Sequence, residues 1–221
     1  MNTTNSQRLI KHLSQFVSLN RQKRMDDVLQ NRTRFLSVIL EDIYQPHNAS
    51  AVLRSCECLG VQDIHIIEKA NRYRVNPDIA LGAAQWLTLY HHENIKSCFN
   101  ELKNQGYQIA AMTLSDDSLN IDELDLSQKT AICFGTEENG LSDSAIIFSD
   151  VKVKIPMVGF TQSFNISVSA AISLYTLTQK LHRSNLNWQL TEEEKTALKI
   201  NWLIKSTPGG DKIKEKFLSN E

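Results

Sequence analysis

The sequence predicts an α/β protein, built on a mostly parallel β-sheet with helices on both faces. Short apolar runs alternate along the chain with helical segments, and typical helix start and stop residues separate them. The 221 residues, 41% of them hydrophobic, suit one cored domain with terminal arms. Only 8 Gly and 4 Pro occur, which excludes collagen-like and Pro/Gly-rich disordered proteins.

The first half of the chain is predicted to hold three strands and three helices. Residues 23–30 form an amphipathic helical pattern, and the apolar run 35–40 predicts a buried strand. Pro46 and Asn48 are typical of a helix start and Gly60 of a helix end. The elements that follow are strands at 61–67 and 86–90 and a helix at 93–104.

The second half continues the alternation and then becomes purely helical. The predicted strands are 107–114, 130–134 and 151–155. The predicted helices are 142–148, a long apolar one at 165–182, one that starts at Thr191 with three acids in its first turn, and a Lys-rich one at 211–218. We therefore predict a basic helical arm (1–34), a sheet domain (35–183) and a helical C-terminal extension (184–221).

Basic side chains are concentrated in the arm. Residues 1–34 carry seven Lys or Arg and two Asp, a net charge of 7 − 2 = +5, whereas the whole chain has a net charge of −1. Such asymmetry is typical of an arm that binds a phosphate backbone, although a solvated helix face has the same composition. The basic residues are Arg8, Lys11, Arg21, Lys23, Arg24, Arg32 and Arg34.

Several classes of protein and site are not indicated. No apolar run approaches the ~18 residues of a membrane span, and the polar N-terminus lacks the apolar segment of a secretory signal. The four cysteines are interpreted as reduced thiols of a cytoplasmic protein. His91 and His92 are interpreted as a surface pair, so no metal site is predicted. The cysteines are Cys56, Cys58, Cys98 and Cys133.

Nucleotide-binding motifs are absent or incomplete. No Gly-x-Gly-x-x-Gly follows a predicted strand. The segment Gly135-Thr-Glu-Glu-Asn-Gly140-Leu-Ser has the spacing of a phosphate-binding loop, but Leu141 replaces the essential lysine and two acids lie within it. This composition argues against binding of a nucleoside triphosphate.

Ligand sites in parallel sheets lie beyond the carboxyl ends of the strands, so the polar residues that follow strands are the candidates. Asn48 and Arg54 follow the strand at 35–40. Because helical side chains lean towards the N-terminus, Arg54 is expected to approach the turn that holds Asn48. A simple cap and a surface cation are the alternatives.

Two further turns carry polar residues. Glu137 lies between two glycines after the strand at 130–134, where an acidic surface turn is the alternative. A ten-residue loop after 151–155 holds Ser163 and Asn165, which share a side if the loop is extended. Asn165 also suits a helix cap.

Together these turns resemble the three motifs of the SpoU/TrmH family, the SPOUT-class RNA ribose 2′-O-methyltransferases. Asn48-x5-Arg54 resembles the first motif, and Phe134-Gly-Thr-Glu137-x-x-Gly140-Leu-Ser resembles the second. Ile155-Pro-Met-x-Gly159-x-x-Gln162-Ser163-x-Asn165-x-Ser167-Val168-Ser169 resembles the third. Their order and spacing match over about residues 35–180.

The resemblance implies a SPOUT fold with a deep trefoil knot at the C-terminal side of the sheet, a homodimer, and a site near the subunit interface. It implies S-adenosylmethionine as cofactor, bound largely by main-chain groups. The matching cofactor positions are Met112, Gly135, Ile155 and Phe164. The matching catalytic positions are Asn48, Arg54, Glu137, Ser163 and Asn165, with Asn48 orienting Arg54.

The implied reaction is methyl transfer to a ribose 2′-hydroxyl of RNA. The short basic N-terminal and helical C-terminal flanks resemble those of the family's enzymes for the D-loop guanosine (position 18) of tRNA. The basic arm would then contact RNA, together with Lys212, Lys214 and Lys216. An rRNA methyltransferase, a catalytically silent RNA-binding relative and an unrelated α/β protein are the alternatives.

Overall fold

The structure is a computed structural model that describes residues 3–43, 45–69, 80 and 82–219. Tyr44, with which the first predicted turn begins, lies outside the described residues. The chain divides into two compact units: Thr33–Trp188 forms one, and Met1–Arg32 with Gln189–Glu221 forms the other. Among the described residues, no helix is long and apolar enough to cross a lipid bilayer.

Seven parallel strands form the sheet of the larger unit, which confirms the predicted fold class. The strands are β1 (Leu36–Glu41), β2 (Asp63–Ile67), β3 (Thr88–His92), β4 (Tyr107–Met112), β5 (Leu119–Asn120), β6 (Lys129–Phe134) and β7 (Val151–Lys154). Their order across the sheet is β3-β2-β1-β6-β4-β7-β5, and every neighbouring pair is parallel. Every residue of β1 and β2 is buried, as expected for strands covered on both faces.

Two strands differ from the prediction. Residues 86–90 were predicted as one strand, but Ala83–Trp86 is a 3₁₀ helix and β3 begins only at Thr88. The side-chain amide of Gln62 explains the boundary, since it donates hydrogen bonds to the Trp86 carbonyl and the Thr88 hydroxyl. The two-residue strand β5 was missed, because a pairing this short produces no periodic pattern.

Helices cover both faces of the sheet. The helices of this unit are α3 (Pro46–Cys58), α4 (Ile95–Asn104), α5 (Asp143–Phe148) and α6 (Ile166–His182). Apolar residues of α3 and α6 join one core cluster with one face of the strands, and those of α4 and α5 join a second cluster on the other face. The N-cap of α3 is Gln45, so the prediction that Asn48 caps this helix is wrong; Asn48 lies inside the first turn.

The smaller unit is helical. It contains α1 (Thr3–Ser14), α2 (Leu19–Leu29), α7 (Glu192–Ser206) and α8 (Gly210–Ser219). Helix α7 begins with a capping box of Thr191 and Glu194, as its acidic start indicates. The two ends of the chain were predicted as separate segments, but α7 packs against α1 and α2 because each of these amphipathic helices needs a partner for its apolar stripe.

Candidate active site

A cavity opens where the chain leaves β4, β6 and β7, at the carboxyl edge of the sheet. It encloses about 660 Å³, its open mouth included. Apolar side chains form part of the lining, and polar groups from the loops that follow β6 and β7 form most of the rest. The lining residues are Met112, Thr113, Leu114, Phe134, Gly135, Thr136, Glu137, Gly140, Ile155, Met157, Ser163, Phe164, Ile166 and Ser169.

All four positions that the resemblance implies for the cofactor lie in this lining, namely Met112, Gly135, Ile155 and Phe164. Glu137 and Ser163 from the implied catalytic set line it as well. Sequence reasoning missed Met157 and Ser169, although both lie within the third motif. Their positions within the third motif could have identified both as lining residues.

A chain of side-chain hydrogen bonds joins the three turns. The Asn48 amide nitrogen donates to Oε1 of Glu137, and the Asn165 amide nitrogen donates to Oδ1 of Asn48 at 3.2 Å. An ionised carboxylate only accepts hydrogen bonds, so Glu137 fixes which end of the Asn48 amide faces it. Glu137 and Asn165, which are 89 and 117 positions from Asn48 in the chain, are thereby held in one cluster with it.

Asn165 has a second role at the start of α6. Its Oδ1 accepts hydrogen bonds from the Ser167 backbone N–H at 2.8 Å and from the Ser167 hydroxyl at 2.6 Å. Asn165 is therefore the N-cap of α6, as predicted, and its amide nitrogen remains available for Asn48. The cap thus holds the end of the third-motif loop in register with α3.

The second-motif loop is closed by its own backbone. Thr136 and Gly140 exchange both of their backbone hydrogen bonds, at 2.9 and 3.0 Å. Gly140 has φ of 66°, in the left-handed region that glycine tolerates best. A Cβ atom at Gly135 would lie 2.1 Å from the Gly140 carbonyl, so only glycine allows this closure.

A buried carboxylate supports the same loop from behind. Glu41, at the end of β1, is 2% exposed and accepts hydrogen bonds from the backbone N–H and the hydroxyl of Ser142. Lys69 forms an ion pair with Glu41 at 2.5 Å. Sequence reasoning missed this support; the signal was a charged residue that ends an otherwise apolar strand.

The chain matches the family model described as SpoU rRNA Methylase over residues 36–175. It belongs to the SpoU methylase family. A tRNA (guanosine(18)-2′-O)-methyltransferase of Borreliella burgdorferi is 44% identical over 190 residues, which are 86% of this chain and 87% of that protein. The enzyme of the same description from Escherichia coli K12 is 34% identical and covers 78% of this chain and 74% of its own length.

Solved structures of the family agree with the fold. The Aquifex aeolicus TrmH/SpoU tRNA modifying enzyme matches with a TM-score of 0.78 and 31% identity, covering 84% of this chain and 96% of that one. The SpoU methyltransferase AviRb of Streptomyces viridochromogenes, solved in complex with AdoMet, matches with a TM-score of 0.63 at 20% identity, over 76% of this chain and 66% of that one. The second likeness concerns the fold alone.

The arginine of the first SpoU motif lies apart from the cavity. The Arg54 side chain is exposed on α3 and borders a surface hollow with Ala51, Ser55, Cys58 and Leu59. The described partners of the Asn48 side chain are Gln45, Glu137 and Asn165. Within one chain, therefore, the structure does not bring Arg54 into contact with Asn48 as we predicted. Six positions along a helix turn the two side chains to different faces.

The predicted RNA-binding residues fall into two groups. The exposed group is Arg8, Lys11, Arg21, Lys23 and Arg24. Arg32 is fully buried with its guanidinium 5.5 Å from the centre of the Trp202 ring, so the prediction that it contacts RNA is wrong. Arg34 is half-buried, and its Nε lies 3.0 Å from a carboxylate oxygen of Asp63. Both arginines make contacts within the fold, Arg32 with the Trp202 ring and Arg34 with the Asp63 carboxylate, and these contacts offset part of the cost of burying their charges.

Proposed function

We propose that this chain transfers a methyl group from S-adenosylmethionine to the 2′-hydroxyl of guanosine 18 in the D-loop of tRNA. The hydrogen-bonded chain of Asn48, Glu137 and Asn165 beside the cavity is the observation that carries the proposal. Packing of a hydrophobic core gives no reason for three polar residues from distant turns to meet at the carboxyl edge of a parallel sheet. Ligands of such sheets bind at this edge, which accounts for the meeting. The descriptions of the relatives support guanosine 18 as the target.

The lining of the cavity fits the chemistry of the cofactor. Ligand pockets combine apolar walls with a few polar groups. Met112, Leu114 and Phe164 offer an apolar wall, and the Gly135 loop offers backbone groups at close approach. When bound, S-adenosylmethionine supplies an electrophilic methyl group on a sulfonium. Glu137 and Ser163 would then orient the ribose or the cofactor at the polar side.

Arg54 would act on the RNA rather than as a base. Arginine keeps its proton in proteins, so it is poorly suited to deprotonate a hydroxyl. Its planar guanidinium suits a phosphate oxygen and the alkoxide character that develops on the ribose oxygen during attack. Positioning of this kind lowers a barrier by several kcal/mol. Arg54 would thus hold the reacting nucleotide in line with the methyl group.

Because Arg54 does not line the cavity of its own chain, we also propose a homodimer in which Arg54 of one chain completes the site of the other. Val168 and Tyr175, seven positions apart on one face of α6, are 43% and 59% exposed. Together with Phe164, 43% exposed, they give an apolar surface next to the cavity. A second copy of the chain is the occupant we propose for this surface.

Mixing two inactive variants tests the exchange of arginine. Arg54→Ala keeps its cavity, and Gly135→Ala keeps its arginine. If Arg54 acts across the dimer, random mixing makes about half of the dimers mixed, each with one intact site, and about a quarter of the activity returns. If Arg54 acts within its own chain, the mixture stays as inactive as either variant. Tyr175→Glu should give a monomer in light scattering.

The decisive assay uses labelled S-adenosylmethionine and a tRNA transcript. Wild-type protein should label the transcript, and a transcript with deoxyguanosine at position 18 should not accept the methyl group because the 2′-hydroxyl is missing. Arg54→Ala should lose at least ~10²-fold in transfer while cofactor binding persists. Labelling of ribosomal RNA alone would favour an rRNA enzyme, and RNA binding without labelling would favour a silent relative; either result overturns the proposal.

A further inference from the structure

A cluster of potential metal ligands lies next to β2 and β3, at the other side of the sheet from the candidate active site. It consists of His65 on β2, His92 at the end of β3 and Cys98 on α4. One ligand atom from each residue lies within 4.8 Å of the other two. His92 was predicted to be part of a surface pair, which is wrong: its side chain is only 6% exposed, whereas that of His91 is 52% exposed.

We propose that His65, His92 and Cys98 form a binding site for a borderline-soft divalent metal ion such as Zn²⁺. Two imidazole nitrogens and one thiolate are a ligand set typical of zinc, and three protein ligands leave a fourth position open. Oxygen-preferring ions such as Mg²⁺ find no matching donors among these three side chains. This inference is independent of the proposed methyl transfer.

The farthest of the ligand atoms, which lie within 4.8 Å of one another, would have to draw together by up to about 1.3 Å to bind a tetrahedral ion. His65 Nδ1 and His92 Nε2 are 2.9 Å apart, at hydrogen-bond distance. Tetrahedral zinc with bonds of about 2.0–2.1 Å to nitrogen and about 2.3 Å to sulfur places its ligand atoms roughly 3.3–3.8 Å apart. The two rings would therefore separate by a few tenths of an ångström, and the sulfur of Cys98 would approach them. The metal would take the place of the proton between the two rings, and that proton would move to the other nitrogen of the ring that carries it, so both histidines stay neutral.

Neighbouring side chains orient both histidine rings. The Nδ1 atom of His92, on the far side of its ring from His65, lies 3.8 Å from a carboxylate oxygen of Glu101. A carboxylate behind a ligating histidine is the usual way in which the ring is oriented. The Tyr90 ring stacks on His65, with centroids 4.8 Å apart, and fixes that ring as well.

An ion could reach the cluster from the side of Glu101, whose side chain is 46% exposed. On binding, the Cys98 thiol would form a sulfur–metal bond and release its proton to solvent, while both histidines would bind in their neutral forms. One thiolate then offsets one of the two charges of the ion. A water molecule would take the fourth position.

Cobalt(II) is the direct probe, because thiolate-bound tetrahedral Co²⁺ has an intense sulfur-to-metal charge-transfer band and visible bands. Co²⁺ added alone to the full-length protein without oxygen should produce these bands with an endpoint of one ion per chain, and Zn²⁺ should remove them. Cys98→Ser should lose the charge-transfer band. Cys58→Ser, which changes an exposed thiol elsewhere, should keep it.

Three further measurements guard against a folding artefact. Cys98→Ser should retain the far-ultraviolet circular dichroism of the wild type, and His92→Ala should weaken Co²⁺ binding by at least ~10-fold. Zn²⁺ should raise the thermal midpoint of the wild type but not that of Cys98→Ser. Absence of the bands in the wild-type protein, or an unchanged charge-transfer band in folded Cys98→Ser, would overturn the proposal.

Discussion

Ser142 donates two hydrogen bonds to the buried carboxylate of Glu41, from its backbone N–H at 3.0 Å and from its hydroxyl at 2.7 Å. The same hydroxyl also accepts from the Ala145 backbone N–H as the N-cap of α5. Since Ser142 lies two residues after Gly140, where the Gly135–Gly140 turn ends, one side chain links the end of β1 to the loop that lines the cavity. The start of α5 and the shape of the cavity therefore depend on the same side chain, that of Ser142.

Ser142→Ala should therefore lower both stability and cofactor affinity. Loss of a hydrogen bond to a charged group and of a helix cap costs about 2 kcal/mol of unfolding free energy. Urea unfolding measures this loss, and calorimetric titration with S-adenosylmethionine should show a weaker dissociation constant. The matched control is Ser149→Ala at the other end of α5, whose hydroxyl bonds the Ile146 carbonyl. An equal loss of cofactor affinity in both variants would contradict the coupling.

Asn48→Asp should abolish methyl transfer, because it places a second carboxylate against Glu137. The variant loses the donor that Glu137 accepts from, and two like charges repel. We expect a decrease of at least ~10²-fold in single-turnover transfer and a loss of about 2 kcal/mol in stability. In the double variant Asn48→Asp/Glu137→Gln a donor faces the new carboxylate, so stability should recover. No recovery would mean that Asn48 and Glu137 do not interact.

The fold and much of the candidate site could be predicted from the sequence. Parallel strands buried on both faces produce apolar runs, and the polar turns that follow them are conspicuous. Glu137, Ser163 and Asn165 were therefore candidates from the sequence, and the structure places the first two in the cavity lining and bonds the third to Asn48. Tertiary packing determines which charged side chains are buried, and the sequence alone does not show this. Arg32 carries the same charge as Arg24, and only the helices packed around it bury its side chain.

Long-range pairings explain the remaining differences. Glu41 and Ser142 are 101 residues apart, and no local pattern connects them. His65 and His92 become neighbours only because β2 and β3 pair in parallel with Ile67 opposite His92. The predicted strand 86–90 ended before His91 and His92, so the alternation along β3 that exposes His91 and buries His92 was not anticipated.

Arg32→Ala should unfold the protein more easily without a specific effect on RNA. Removing a fully buried guanidinium leaves a cavity against Trp202, at a cost of about 3 kcal/mol. Urea unfolding measures this cost. The exposed Arg24→Ala is the matched variant: its stability should be nearly unchanged, but its tRNA affinity should fall, with a salt dependence shallower by ~1 ion. The reverse pattern would restore Arg32 to the RNA-binding set.

Gly135→Ala should eliminate cofactor binding, because its Cβ would lie 2.1 Å from the carbonyl carbon and oxygen of Gly140. The backbone of the turn must move, and the cavity wall moves with it. Gly159→Ala in the third-motif loop is the control, since a Cβ there meets nothing within 4 Å. Calorimetry with S-adenosylmethionine distinguishes them: we expect no measurable binding for the first and near wild-type affinity for the second. Wild-type affinity in Gly135→Ala would show that the loop does not hold the cofactor.

Alkylation of Cys58 should inhibit methyl transfer according to the charge of the adduct. Cys58 is exposed one helical turn from Arg54, around the same hollow, whereas Cys56, Cys98 and Cys133 are buried. Burial also raises the pKa of the Cys133 thiol well above its ordinary value, which leaves that thiol unreactive. Mass spectrometry of the native protein should therefore show one modified cysteine.

Iodoacetate and iodoacetamide form the matched pair for this test, because both lengthen Cys58 by similar groups and only iodoacetate leaves a carboxylate. A carboxylate beside Arg54 competes with the RNA phosphate for the guanidinium, so carboxymethylation should lower transfer by roughly 10-fold more than carbamidomethylation. Cys58→Ser should be insensitive to both reagents. Equal inhibition by the two adducts would assign the effect to bulk on α3 and would remove the phosphate-binding role from Arg54.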